Sequence, residues 1–147
     1  MVRTRGHQLT NDRNEFNAQI IKEFRENGGK VGGRFEGATL LLLHTVGAKS
    51  GQERINPLML QDLGGSWAVF ASKGGATTHP DWYYNVRANS EVTVEIGSET
   101  IPARARIAEG DERERIWTTQ KTTVPTFARY EETAGDREIP VVIIERR

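Results

Sequence analysis

The sequence predicts an α+β protein: a small barrel of six mostly antiparallel strands with helices at its edges. Short apolar runs recur between turn-marking Gly, Pro and Asn residues, a spacing that suits strands. Connections between successive strands run to about two to five residues, enough for hairpins and too short for βαβ crossovers. Helical stretches stand at the start, in the middle and near the end, where they can cover a sheet.

Residues 14–27 carry Phe16, Ile20, Ile21 and Phe24 on one helical face, and Gly28-Gly29 supplies the stop. Such a stripe most often packs on its own sheet, with a partner or a membrane surface as the other reading. After a glycine-rich linker, strands are expected over 39–45, 55–61 and 66–72, the last two joined at Gly64-Gly65. Pro80 is placed as the first residue of a helix, and Asp81 complements the dipole there. That helix carries Trp82, Tyr83, Asn85 and Val86 and closes at Ala88-Asn89-Ser90. Val92, Val94 and Ile96 alternate as a strand does, and Gly97-Ser98 turns into a second strand over 100–107. A charged helix over 110–123 is led by Asp111 with Ile116 and Trp117 inward; Pro125 interrupts it, a short helix with Phe127 and Tyr130 follows, and Ile139 to Ile144 is the closing strand.

At 147 residues the chain suits a single domain, 1–147, of which 1–30 is the N-terminal amphipathic helix and linker. Twenty basic residues balance 20 acidic ones, so there is no cationic excess of the kind nucleic-acid binding needs, and any cationic site is local. The absence of Cys excludes disulfides, thiolate catalysis and Cys-ligated metal clusters. The opening Met1-Val2-Arg3-Thr4-Arg5 leads into no apolar region, and no segment approaches the ~20 apolar residues of a membrane span, so a cytoplasmic location is expected.

The most informative stretch is Thr45 to Pro57, a Gly-bracketed basic turn between two apolar strands. Gly47 and Gly51 permit positive φ and bring backbone N–H groups close to a ligand, while Lys49, Ser50 and Arg54 add donors suited to phosphate or carboxylate. An ordinary hairpin with solvated charges is the alternative. Ala48-Lys49-Ser50 is not a P-loop, which needs Gly directly before the Lys and another five residues earlier, where Leu43 stands. Gly28-Gly29 and Gly32-Gly33 do not align to a dinucleotide-binding turn. Ala71-Ser72-Lys73-Gly74-Gly75 repeats the pattern of a Lys and Gly after a strand. If the two strands are neighbours, Lys49, Arg54 and Lys73 surround one cleft, and Trp82 offers a ring for stacking. His7, His44 and His79 lack metal-ligand spacing, Ser50 and Ser72 lack a nucleophile-elbow context, and no carboxylate pair stands out. Any chemistry therefore belongs to a bound cofactor.

These residues resemble the deazaflavin-dependent nitroreductases and quinone reductases, which use coenzyme F420 (8-hydroxy-5-deazaflavin) and adopt the split β-barrel of FMN-binding-like oxidoreductases. The resemblance covers roughly residues 31–145 and is carried by LLLLHTVGAKSG from Leu40, RINPL from Arg54, ASKGG from Ala71, HPDWYYNVRAN from His79 and REIPVV from Arg137. It implies that Ala48, Lys49, Ser50 and Arg54 hold the cofactor phosphate. It implies further that Ile55, Asn56, Pro57, Leu58 and Met59, with Phe70, Ala71, Ser72 and Lys73, flank the deazaflavin, and that Asp81, Trp82, Tyr83, Tyr84 and Asn85 cover it from the helix. Met59, Phe127 and Tyr130 then face the substrate, and Ser72 and Tyr130 are the candidate catalytic hydrogen-bond donors. The chain departs from quinone-reducing members in placing Met59, Val124 and Phe127 where they carry aromatic residues; Tyr130 alone keeps a phenol. The implied activity is hydride transfer from reduced F420 to a small-molecule acceptor: an activated alkene, quinone or nitro compound. An FMN-dependent enzyme on the same fold and a non-catalytic F420 carrier are the alternatives. No metal is expected, peripheral membrane contact is left to the N-terminal helix, and the oligomeric state is left open.

Overall fold

The structure, a computed structural model, describes residues 5–32 and 38–147; Gly33 and the linker that follows it lie outside the described residues. Helix α1 spans Arg5–Glu26 and is followed by strands β1 (Leu40–Val46), β2 (Glu53–Met59), β3 (Gln61–Asp62) and β4 (Ser66–Phe70). Helix α2 (Asp81–Ala88), the hairpin of β5 (Glu91–Ile96) and β6 (Glu99–Ile107), helices α3 (Gly110–Thr123) and α4 (Thr126–Thr133), and β7 (Val141–Arg146) complete it. All strand pairs are antiparallel and form one seven-stranded sheet in the order β2-β1-β5-β6-β7-β4-β3.

The two edge strands of that sheet, β2 and β3, are separated in sequence by Leu60 alone. Only a curled sheet brings its opposite edges within one residue of each other, so the order itself dictates a barrel. Leu60 N–H donates to Thr39 O at 2.9 Å, anchoring the crossing point. β2 pairs with β1 and has no ladder to β4, which leaves the barrel split along that seam. Pro57 stands on β2, and an edge strand tolerates a residue without an N–H.

The alternation of each strand sorts its side chains into three apolar clusters. Leu41, Leu43, Val69, Val94, Ala103 and Val142 point inward and meet Trp82, Tyr83 and Val86 of α2, which plugs one end of the barrel. The opposite face of β4 and β7, through Ala68, Phe70, Val141 and Ile143, packs on Ile116 and Trp117 of α3 and Phe127 of α4. The opposite face of β1, through Leu40 and Leu42, packs on Ile20 and Phe24 of α1. Leu40 to Leu43 are therefore all buried, while β6, with no helix over its outer face, alternates buried Ile101, Ala103 and Ala105 with exposed Pro102, Arg104 and Arg106.

Three boundaries differ from expectation. The strand expected over 55–61 breaks at Leu60, because the chain leaves one edge of the sheet there and joins the other. Pro80 is the cap of α2 rather than its first residue, held in an extended conformation at ψ 155°. Helix α1 begins well before residue 14. Of its stripe, Ile20, Ile21 and Phe24 pack on the sheet, while Phe16 is 43% exposed. Among the described residues no helix is long and apolar enough to cross a membrane.

A polar clamp reinforces α1. Arg25 donates to both oxygens of Glu95 on β5, at 3.0 and 2.6 Å, and His44 Nε2 lies 2.6 Å from Glu95 Oε2 while its Nδ1 meets Glu53 at 3.1 Å. The Arg25 hydrogen bonds, aided by His44 and opposed by burial, hold the Glu95 carboxyl below the usual carboxylate range. A depressed carboxylate stabilises the fold above its unfolded-state pKa, and that contribution is lost as pH falls through the folded-state pKa. Glu95→Gln is thus expected to lower stability at pH 7 by roughly 1 kcal/mol or less, since Arg25 is half exposed, and the gap to the wild type should narrow as pH falls through the folded-state pKa. Urea unfolding over a series of acidic pH values checks this; a gap that does not narrow on acidification contradicts an ionic origin.

Candidate functional site

Two turns and one helix build the site at the split seam. The first turn joins β1 to β2 and is closed by Gly47 N–H donating to Gln52 O at 2.8 Å and Gly51 N–H to Gly47 O at 2.9 Å. Ser50 Oγ accepts from Gln52 N–H at 3.2 Å and fills the space beside Gly47 that any Cβ there would need. Asn85, buried in α2, accepts from Ala48 N–H at 2.9 Å and donates to Thr45 Oγ1 at 3.1 Å, pinning the turn to the helix. Lys49, Ser50 and Arg54 are left exposed on it, and neither Lys49 nor Arg54 forms an ion pair among the described residues.

The second turn follows β4. Lys73, Gly74 and Gly75 take φ of 48°, 62° and 82° in succession, and Lys73 is the one non-Gly residue at positive φ among those described. Such a conformation costs on the order of 1–3 kcal/mol and persists where its surroundings enforce it. Here the enforcement is visible. A Cβ on Gly75 would meet Thr133 Oγ1 and stand 2.9 Å from Tyr130 Cα, so only glycine lets α4 approach, and Thr133 Oγ1 donates to Gly75 O at 2.8 Å. From the other side Arg137 donates to Ala71 O at 2.9 Å, to Ser72 O at 2.8 Å and to Ala76 O at 3.0 and 2.8 Å. Lys73 Nζ reaches Thr78 Oγ1 at 3.1 Å.

Between β2 and this turn opens a cleft of about 960 Å³. Pro57, Leu58 and Met59 form one wall; Phe70, Ser72, Lys73 and Gly74 form the facing one. Pro80 and Trp82 of α2 close one end, and Phe127 and Tyr130 of α4 with Gln120 and Val124 close the other. The hydroxyls of Ser72 and Tyr130 make no hydrogen bond among the described residues. Nine of the expected site residues thus meet here: Pro57, Leu58, Met59, Phe70, Ser72, Lys73, Trp82, Phe127 and Tyr130.

The others stand apart from the cleft wall. Ala48, Lys49, Ser50 and Arg54 lie along β2 from it, Arg54 about 10 Å from Pro57 at ~3.3 Å per residue. Ile55 turns toward α1, Asn56 is half-buried, Ala71 is fully buried, and Tyr83 belongs to the barrel core. Asp81 and Tyr84 are exposed, and Asn85 acts on the turn rather than on the cleft. Lys49, Arg54 and Lys73 therefore do not ring a single cavity: two cations mark one end of a track along β2 and the third its other end. The sequence reading passed over Gln61, Gln120 and Arg137 as site-forming residues. A lone Gln in a charged helix carries no signal of burial, and Arg137 stood only as part of a motif.

A model of the F420H(2)-dependent quinone reductase family matches residues 17–146. The chain belongs to that family. An F420H(2)-dependent quinone reductase of Mycobacterium tuberculosis is 33% identical over 128 residues, covering 84% of this chain and 85% of its own. Among solved structures, an F420-H2 dependent reductase is 45% identical with a TM-score of 0.66, over 72% of this chain and 93% of that one. A chain solved as a domain-swapped dimer is 37% identical with a TM-score of 0.69, over 91% and 99%. The heme storage protein of Vibrio cholerae, 14% identical with a TM-score of 0.55 over 89% and 90%, shares the split-barrel fold alone. Membership makes the protein an F420H2-dependent oxidoreductase, with coenzyme F420 as its cofactor.

The residues fit that group. The cleft has the volume of a ligand-sized site, and three cations without carboxylate partners among the described residues stand along the track a flat, anionic cofactor would follow. The reductase also holds His79 at the rim of the second turn, where Arg137 donates to its Nδ1 at 3.0 Å and so leaves its proton on Nε2. Desolvation first, then the charges of Arg137 and Arg87, push the His79 pKa below the usual ~6.5. A lowered folded-state pKa means stability present above ~6.5 declines as pH falls from there through the folded value. Arg137→Gln is expected to move His79 titration back up toward the ordinary value, read from imidazole proton shifts by NMR. An unmoved titration contradicts the contact.

Proposed function

We propose that the reductase lays the F420 ring along β2 between Pro57–Met59 and the Ser72–Gly75 turn, and holds a small electron-poor acceptor against it beside Met59, Phe127 and Tyr130. The observation that carries this reading is the split seam itself: one cleft bounded by a strand edge and a strained cationic turn, opening at its far end onto side chains from α3 and α4. In this reading Lys49, Ser50 and Arg54, with Ala48 N–H already committed to Asn85, bind the cofactor phosphate at the end of the track.

Bound in its reduced form, F420 supplies a hydride. The remaining work falls to the protein. β2 and Trp82 fix the ring plane, while Phe127 and Met59 exclude water from the acceptor face. The acceptor gains a hydride, which is one proton with two electrons, from the cofactor and a second proton from solvent at the cleft mouth, so an alkene or quinone is reduced by one two-electron step and a nitro group passes to the nitroso level with loss of water. Ser72 and Tyr130, with hydroxyls uncommitted in the fold, donate to the acceptor atom that gains charge, an interaction stronger in the transition state than in the ground state. The same cleft read as a carrier site would bind F420 and reduce nothing.

The test separates these uses. Fluorescence titration should show F420 binding in preference to FMN, and F420H2 oxidation should follow on adding 1,4-naphthoquinone or a nitroaromatic. Binding with no oxidation across such acceptors overturns the enzymatic reading in favour of a carrier. Arg54→Ala should weaken F420 binding by about one to two decades, the value of a charge-assisted hydrogen bond of ~1.5–3 kcal/mol, with a smaller loss for Lys49→Ala. Unchanged affinity in both places the phosphate elsewhere.

A further inference from the structure

The acceptor end of the cleft contains a pair of side-chain amides, half-buried Gln61 and buried Gln120, whose polarity can be worked out from the backbone. Gln61 on β3 donates from Nε2 to Ile116 O at 3.1 Å. A backbone carbonyl only accepts, so the Gln61 amide has a fixed orientation: its nitrogen faces α3. The same nitrogen stands 3.1 Å from the oxygen of the Gln120 side chain, to which it gives its second hydrogen. Gln120 is thereby oriented in turn, and its own Nε2 must face away from Gln61. What it faces is Met59 Sδ at 3.9 Å, a thioether and a weak acceptor. Its other hydrogen has no partner among the described residues.

Gln120 is 3% exposed and lines the cleft together with Met59, Val124 and Phe127. A buried amide nitrogen with one weak acceptor and one free hydrogen, beside Met59, Val124 and Phe127, is a donor set before any ligand arrives. Hydrogen bonding within the protein cannot reverse it, because Ile116 O fixes the chain of donors from its far end. An apolar acceptor alone would leave that hydrogen unmet; an oxygen with lone pairs in the plane of a ring would satisfy it.

We infer that Gln120 Nε2 is a specificity-determining donor for the acceptor's carbonyl oxygen, so that the cleft selects ketone-type acceptors, quinones and enones among them, over hydrocarbons of the same shape. This rests on the cleft being the acceptor site. For a quinone, whose carbonyl oxygen accepts more strongly than the hydroxyl it becomes, the same donor favours the oxidised acceptor over its reduced product.

Calorimetric binding of 1-tetralone and of its hydrocarbon isostere tetralin to the cofactor-free protein tests this without turnover. Gln120→Met removes the donor at similar volume and should weaken 1-tetralone about three- to tenfold, the range of one net hydrogen bond, while tetralin changes less than twofold. Gln120→Glu keeps an oxygen for Gln61 and presents no donor, and should show the same selective loss even if the Met variant folds poorly. In the wild type, 1-tetralone and not tetralin should shift the Gln120 side-chain amide protons in NMR spectra. Equal weakening of both ligands, or of neither, in the folded variants overturns the assignment. Phe127→Ala is the control for the underlying reading. If it weakens both ligands while the Gln120 variants fail to discriminate, only the donor role is wrong; if it weakens neither, the acceptor site itself lies elsewhere and the inference falls with it.

Discussion

One connection governs the architecture. Met59 ends a strand at one edge of the sheet and Gln61 begins a strand at the other, with Leu60 alone between them. A flat seven-stranded sheet would hold those edges about 28 Å apart at ~4.7 Å per strand, so a single-residue link is possible only if the sheet curls until its edges meet. They meet at Leu60 without pairing elsewhere, since β2 and β4 form no ladder. The seam left between them is the cleft, and its walls are the two elements the closure brings face to face: the Pro57–Met59 edge and the end of β4. Barrel geometry and binding site have one cause.

The closure leaves two turns standing at the seam, and both are held by polar side chains from elsewhere in the chain, one buried and one half-buried. Asn85 ties the β1–β2 turn to α2, and Arg137 ties the strained Ser72–Gly75 turn to the approach of β7. Each satisfies backbone groups that would otherwise be left unpaired where regular structure ends. Lys49 and Lys73 on the turns, and Arg54 on β2, remain without carboxylate partners among the described residues. A chain of zero net charge thus keeps three cations along one seam, while Glu95 pairs with Arg25 and Glu112 with Arg106.

Much of the fold was legible because it is written in local periodicity. Four consecutive leucines at 40–43 announce a buried strand, and the alternation of Val92, Val94 and Ile96 announces another; both strands are there, with Leu40 to Leu43 all buried and Val92 and Val94 turned inward. The break at Leu60 was not legible, because Leu58-Met59-Leu60 reads as one apolar run and nothing local marks the change of edge. The same non-local step explains the candidate site. Two Lys-Gly turns of similar composition suggested one ring of cations, but Arg54 stands near the start of β2 with Lys49 in the turn before it, while Lys73 faces the other end of that strand at Pro57–Met59. Gln120 and Arg137 were invisible as site residues for a related reason: each gains its meaning from partners tens of residues away, Gln61 and Met59 for the first, Ala71 to His79 for the second.

The central claim is that F420 binds across the split seam, bridging β2 and the turn after β4. Backbone hydrogen–deuterium exchange with and without F420 tests it most directly. The account predicts added protection in two segments distant in sequence, 53–59 and 71–76, with the β5–β6 hairpin over 91–107 unchanged because it lies on the far side of the barrel. Protection confined to one of the two segments, or centred on the hairpin, would contradict binding across the seam.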